Sequence, residues 1–117
     1  MNFSNQFIGK ELFPNKTDVN SANNLSINGF DLTKLAEKYQ TPLYVYDEDT
    51  IISTIKDFQN SFKSELETSI ISYSTKAFSN PYLLKVLNEN DMNIDVVTGG
   101  ELSIAKFVEF PSKRINF

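Results

Sequence analysis

The feature that most limits what this chain can become is a repeated strand-helix unit in its second half. From Ser69 the run SIISYSTKA mixes Ile with small residues and reads as a strand, and a helix follows from Asn80-Pro81. NIDVVT reads as a second strand, Gly99-Gly100 turns the chain into a second helix, ELSIAKFVEF, and after Pro111-Ser112-Lys113 the run RINF begins a third strand. Strands alternating with helices over short links predict a parallel sheet and an α/β fold. Pro81 suits the first helical turn, where its missing N–H is no loss, with Asn80 as the cap. Ile104, Ala105 and Val108 share one face of the later helix.

The first half is less regular. Residues 1 to about 24 are polar and Asn-rich, with isolated aromatics at Phe3, Phe7 and Phe13 and no helical or strand period, which predicts a surface arm or linker. Leu25–Ile27 suits a short strand, and Asn28-Gly29 a turn. Asp31 is placed to cap a helix carrying Leu32, Leu35, Ala36 and Tyr39 at helical spacing, ending near Gln40 because Pro42 drives Thr41 towards an extended conformation. TPLYVYD alternates Leu43 and Val45 against Tyr44 and Tyr46, predicting a strand with both faces largely covered. Asp47, Glu48 and Asp49 then open a helix whose apolar stripe is Ile51, Ile55, Phe58 and Phe62. The tyrosines and phenylalanines are expected in the core or an interface.

Composition narrows the chemistry. Eleven basic against fifteen acidic residues in 117 give a net charge of −4, so there is no basic field to hold nucleic acid or an anionic membrane surface. With no Cys and no His there are no disulfides, thiolates or imidazoles, and no metal site is expected. The opening residues lack the pattern of a secretory signal, and no run approaches the ~18 apolar residues of a membrane span, so a cytoplasmic chain is expected. Any chemistry falls to Lys, carboxylates, hydroxyls or a cofactor.

Strand alternation places Ser72, Ser74 and Lys76 on one side and Ile71, Tyr73, Thr75 and Ala77 on the other. Lys76 then sits beside two small residues at the carboxyl end of a parallel strand, where α/β folds place their chemistry. An ordinary lysine, with a pKa near ~10.4, is a poor nucleophile at neutral pH, but burial or a nearby cation permits Schiff-base formation. The competing reading is a lysine reaching into solvent. Asp95, between Ile94 and Val96, faces the same interior as Lys76 if the strands align. Its alternatives are a strand-edge carboxylate in water or a structural ion pair with Lys76. Glu101 in a first helical turn is explained by the helix dipole alone or by a place in the site. Gly99-Gly100 lacks a nucleotide-binding pattern and reads as a tight turn.

The run from Ile71 to Phe117 resembles the fold-type III pyridoxal-phosphate decarboxylases, whose lysine lies in a Tyr-Ala-Val-Lys-Ala-Asn run before a helix. Tyr73, Lys76, Ala77, Asn80 and Pro81 match, and DVVTGGEL is similar to the family's Asp-Val-Val-Ser-Gly-Gly-Glu-Leu at Asp95, Gly99, Gly100 and Glu101. Upstream, LFPNK and TPLYVYD are similar to the amino-terminal stretch of the diaminopimelate decarboxylase branch, so the resemblance runs from about Leu12 to Phe117. Departures are Ser74 and Thr75 where Ala and Val are usual, Phe78 where Asn is usual, and Gln40 where Gly is usual. Phe78 places a bulky ring near the reactive end of the strand.

The resemblance implies the start of a TIM-like, alanine racemase-type β/α barrel that binds pyridoxal 5'-phosphate. Residues 47–117 would form its first units, and residues 1–46 an arm, helix and strand associated with a companion β-domain. It implies Lys76 as the catalytic, cofactor-binding residue that forms the internal aldimine, with Asp95 and Glu101 as candidate site neighbours. The implied reaction is decarboxylation of meso-diaminopimelate to L-lysine and carbon dioxide in lysine biosynthesis, by a homodimer acting on a small amino-acid substrate. Alternatives are an ornithine or arginine decarboxylase, or a non-catalytic pyridoxal-phosphate carrier or decayed barrel fragment. The stop at Phe117, inside an apolar strand, reads as an incomplete barrel, since a closed one takes roughly 250 residues. The family's phosphate loop falls beyond that point, and the 117-residue piece alone is expected to be inactive.

Overall fold

In a computed structural model, residues 10–66 and 68–117 are described, and the chain divides into two units, Met1–Ile51 and Ile52–Phe117. In the first, Thr17–Val19 (β1), Leu25–Ile27 (β2) and Phe30–Asp31 (β3) form an antiparallel sheet in that order. Asn28 and Gly29 join β2 to β3 with φ of 50° and 81°, the left-handed pair that a two-residue hairpin needs. The α-helix Leu32–Tyr39 (α1) follows, capped as expected by Asp31, whose Oδ1 accepts the N–H of Thr33 at 2.9 Å.

From Lys10 onward the Asn-rich stretch, expected as a surface arm or linker, carries regular structure. After a 3-10 turn at Lys10–Leu12 it forms β1 and the turn beyond it. Asn20 Oδ1 accepts the N–H groups of Ala22 and Asn24, and the side-chain amides of Asn20 and Asn24 donate to Asp31 Oδ2 at 2.8 and 3.0 Å. A three-residue strand is too short to show alternation, and asparagine builds turns through its own side chain rather than through hydrophobic period. Donation from Thr33, then from Asn24, holds the Asp31 carboxyl well below the usual carboxylate range. Phe3 and Phe7 lie outside the described residues.

The predicted strand over residues 41–46 does not form. Those residues are exposed, Tyr44 at 86%, so neither the covered strand nor the packed tyrosines expected there are present. Alternation yields a strand only where a sheet edge accepts it, and the sheet of β1, β2 and β3 does not include this segment. The helix Glu48–Glu65 (α2) begins as its acidic start predicts. Asp47 Oδ2 accepts the Thr50 N–H at 3.0 Å, and Asp49 receives Lys16 Nζ at 2.5 Å and the Asn28 amide at 3.0 Å. Of its apolar stripe only Ile55 is buried, while Phe58 and Phe62 are exposed.

The second unit carries the repeat. Ser72–Ser74 (β4), Asn93–Asp95 (β5) and Ile115–Asn116 (β6) form a parallel sheet in sequence order, linked by the helices Pro81–Glu89 (α3) and Gly99–Phe107 (α4). Tyr73, Ile94 and Ile115 are in register, as are Ser74, Asp95 and Asn116. Ile94 has no exposed surface, and with Leu84, Val86 and Leu87 of α3, Val96, Ala105 of α4 and Phe110 it makes the core. Asn80 caps α3 by accepting the Tyr82 N–H at 2.8 Å, with Pro81 in the first turn. Gly99 and Gly100 are the first residues of α4 rather than a turn before it, and Thr98 is the cap. Arg114 donates to the carbonyls of Asn88 and Met92 and lies 5.4 Å from the Phe110 ring centroid, fastening the end of α3 to the 3-10 turn Ser112–Arg114 before β6.

Ile94→Ala leaves a void between sheet and helices and is expected to cost about 2–5 kcal/mol. Asn80→Ala removes one cap and is expected to cost about 1 kcal/mol. Denaturant unfolding of the two variants checks both values and their order.

Candidate active site at the strand ends

Pairing in β4 stops at Ser74, where the chain turns and Ala77 N–H donates to the Ser74 carbonyl at 3.2 Å. Lys76 therefore sits in a turn just past the strand rather than on it, and alternation does not govern its direction. Thr75 is 1% exposed, and its N–H is tied to the Asp95 carbonyl at 3.0 Å. Lys76 itself is exposed and has no side-chain hydrogen bond or ion pair among the described residues.

Ser72, Ser74, Asn93, Asp95 and Asn116 share the sheet face opposite Ile94, because paired residues in a parallel ladder project to the same side. The Asn116 side-chain amide donates to Asp95 Oδ1 at 2.9 Å and to Ser72 Oγ at 3.0 Å. Asp95 thus lies on the face that alternation predicted, but its partner is a neutral amide, and the structural ion pair with Lys76 is not formed.

Glu101 is more than a dipole residue. Its Oε2 accepts the Thr75 hydroxyl at 2.6 Å and the Val97 N–H at 2.9 Å, while its own N–H reaches Thr98 Oγ1 at 3.3 Å. The Thr75 hydroxyl first, then the Val97 N–H, lower the Glu101 pKa from the ordinary glutamate value. Alternation places Thr75 on the side away from the site, but past Ser74 the chain is in a turn and the Thr75 hydroxyl meets Glu101 instead. The available signal is the spacing Thr98-Gly-Gly-Glu101, a capping-box pattern that turns the glutamate back towards the strand ends. Phe78 is 37% exposed, and its carbonyl accepts the Tyr73 hydroxyl at 3.1 Å on the far side of β4.

The residue types suit a carbonyl cofactor: a primary amine without an ionic partner among the described residues, on the turn that follows Thr75, whose hydroxyl holds the Glu101 carboxylate. They do not show a phosphate cradle. A Cβ on Gly99 would meet nothing within 4 Å, and one on Gly100 would meet only Thr98 Oγ1 at 3.8 Å. Among the described residues no group of three or more acidic side chains could hold a metal ion.

Parallel strands linked in sequence order by helices, with an open amine past one strand's carboxyl end, are the arrangement with which a β/α barrel begins. The family described as pyridoxal-dependent decarboxylase, pyridoxal binding domain, matches residues 49–117, and the chain belongs to that family. The diaminopimelate decarboxylase of Bacillus methanolicus is 39% identical over 105 residues, covering 90% of this chain and 24% of that protein. The crystal structure of diaminopimelate decarboxylase from Methanocaldococcus jannaschii is similar at a TM-score of 0.74 with 35% identity, over 86% of this chain and 24% of that one. A co-complex of the same enzyme with L-lysine is similar at 0.71 and 34%, with the same coverage. The chain spans about a quarter of the length of these relatives.

A carboxylate with a lowered pKa stabilises the fold fully above its unfolded pKa and loses that contribution as pH falls through the lower folded value. Glu101→Gln is therefore expected to melt below the parent at neutral pH, with the gap closing on acidification through the glutamate range. Thermal midpoints measured against pH check this.

Proposed function

We propose that Lys76 holds pyridoxal 5'-phosphate and that the whole protein removes a carboxylate from meso-diaminopimelate, giving L-lysine and carbon dioxide. The observation that carries this is the open amine of Lys76 past the end of β4, within a chain of the pyridoxal-dependent decarboxylase family. Its likeness to diaminopimelate decarboxylases, one of them in complex with L-lysine, supports the substrate. The chemistry such a cofactor supplies is a sink for the electron pair left when a carboxylate departs as carbon dioxide.

The part played by this chain follows from its contacts. An ammonium must lose a proton before it attacks an aldehyde, and a close carboxylate partner opposes that loss. Asp95 and Glu101 are occupied by neutral donors, from Asn116 and from Thr75 and Val97, so neither locks Lys76 as an ion pair. Both stay as candidate neighbours able to orient an amino-acid substrate or exchange a proton with it. Ser72 and Ser74 keep the adjoining face small and polar. Among the described residues no phosphate cradle is formed, and in this reading the phosphate and substrate contacts fall in the three quarters of the relatives' length that this chain does not span.

In the same reading residues 1–46 associate with a companion β-domain and 47–117 open the barrel of a cytoplasmic homodimer. Among the described residues no helix is long and apolar enough to cross a membrane.

Borohydride reduction of the whole protein with pyridoxal phosphate, followed by peptide mapping, is expected to place the label on Lys76, and a label elsewhere sinks the proposal. Lys76→Ala is expected to lower carbon dioxide release by at least on the order of 10³-fold. Preference for ornithine or arginine over meso-diaminopimelate would show the substrate assignment to be wrong.

A further inference from the structure

We infer that Thr75 is a positioning residue: its hydroxyl clamps the Glu101 carboxylate onto the turn that carries Lys76. The inference rests on Lys76 being the amine that holds pyridoxal phosphate. Thr75 is 1% exposed, and a buried hydroxyl needs a partner. Two acceptors are in reach, Glu101 Oε2 at 2.6 Å and the Asp95 carbonyl at 2.8 Å, but a hydroxyl has one proton to donate. The Asp95 carbonyl already accepts the Thr75 N–H, whereas the carboxylate is nearer and charged, so the proton goes to Glu101.

The same Glu101 oxygen accepts the Val97 N–H. One carboxylate oxygen thus bridges the turn after β4 and the link between β5 and α4. The clamp grips the residue immediately before Lys76, whose side chain has no tether of its own. Pairing in β4 ends at Ser74; past that point the turn is closed on itself by the Ala77 N–H on the Ser74 carbonyl and the Tyr73 hydroxyl on the Phe78 carbonyl, and it is tied to its neighbours through Thr75, by the backbone bond to Asp95 and by this side-chain clamp. Charged groups on the surrounding elements are Lys76 after β4, Asp95 on β5, Lys85 and Glu89 on α3, and Lys106 on α4. The partners that lower the Glu101 pKa are the neutral ones, Thr75, Val97 and Thr98.

The test compares Thr75→Val, which keeps shape and loses the donor, with Thr75→Ser, which keeps the donor. The first readout is the Glu101 titration in the whole protein, followed by carboxyl ¹³C NMR and assigned with Glu101→Gln. The second is the rate at which pyridoxal phosphate is trapped on Lys76 by borohydride and peptide mapping. In the valine variant the titration is expected to move up towards the ordinary glutamate value and trapping to slow roughly two- to tenfold, the worth of one hydrogen bond. The serine variant is expected to restore both. Thr75→Ala replaces the valine variant if near-UV circular dichroism shows that valine disturbs folding. An unmoved titration without the hydroxyl overturns the clamp, and a moved titration with unchanged trapping overturns the positioning role. Parent protein that takes the label elsewhere than Lys76 refutes the functional reading instead, and the Glu101 titration still judges the clamp.

Discussion

Burial of Ile94 between the sheet and its helices sets the register of β5, and with it the composition of the face that holds the candidate site. Side chains in a strand alternate, so fixing Ile94 inward fixes Asp95 outward, opposite Asn116 and beside Ser74. A slip of one residue would press the Asp95 carboxylate into the apolar layer made by Leu84, Leu87 and Ala105, where an unpaired charge is costly. The hydrophobic term therefore selects the polar face without contributing to it. Asn116 then ties β6 to both Asp95 and Ser72, so the three strands are linked by side chains as well as by their ladders.

Electrostatics at the strand ends follow from which donors reach the carboxylates. A carboxylate that pairs with a lysine holds it protonated. Here Asp95 and Glu101 are satisfied by an amide, a hydroxyl and a backbone N–H, all neutral. The depressed pKa of Glu101 comes from hydrogen bonding to its charged form and not from a cation, so its ionisation leaves the amine of Lys76 uncommitted.

Features set by local chemistry were legible in the sequence. Asp31 and Asn80 announced their helices because a short polar side chain reaches the first free N–H groups, and Asn28-Gly29 announced a turn because few pairs tolerate two positive φ values; that the turn closes a hairpin with β3 was not readable. The helix-strand order of the repeat was readable from period. Features set by partners were not. TPLYVYD alternates correctly and still forms no strand, since alternation describes a strand's two faces and not its neighbour. The run SIISYSTKA pairs only over Ser72–Ser74, which moved Lys76 from strand to turn and made side assignments beyond Ser74 unreliable. Thr75 illustrates the cost, because a buried hydroxyl bonded to a residue 26 positions later leaves no periodic trace.

The openness that frees Lys76 has a counterpart in apolar surface. Phe58 and Phe62 of α2, Ile70 ahead of β4, Phe107 at the end of α4 and Phe117 after β6 are all exposed, Ile70 and Phe117 at 80% and 88%. Parallel sheets are ordinarily covered on both faces, and open edges invite pairing. In this sheet β4 and β6 each present an edge, and the face of Ser72, Ser74 and Asp95 is lined by polar groups rather than by a helix. A barrel accounts for these features together: further strands would pair with the edges, further helices would cover the outer apolar residues, and the polar face would turn to the barrel's interior, where side chains from the other strands would pack against it.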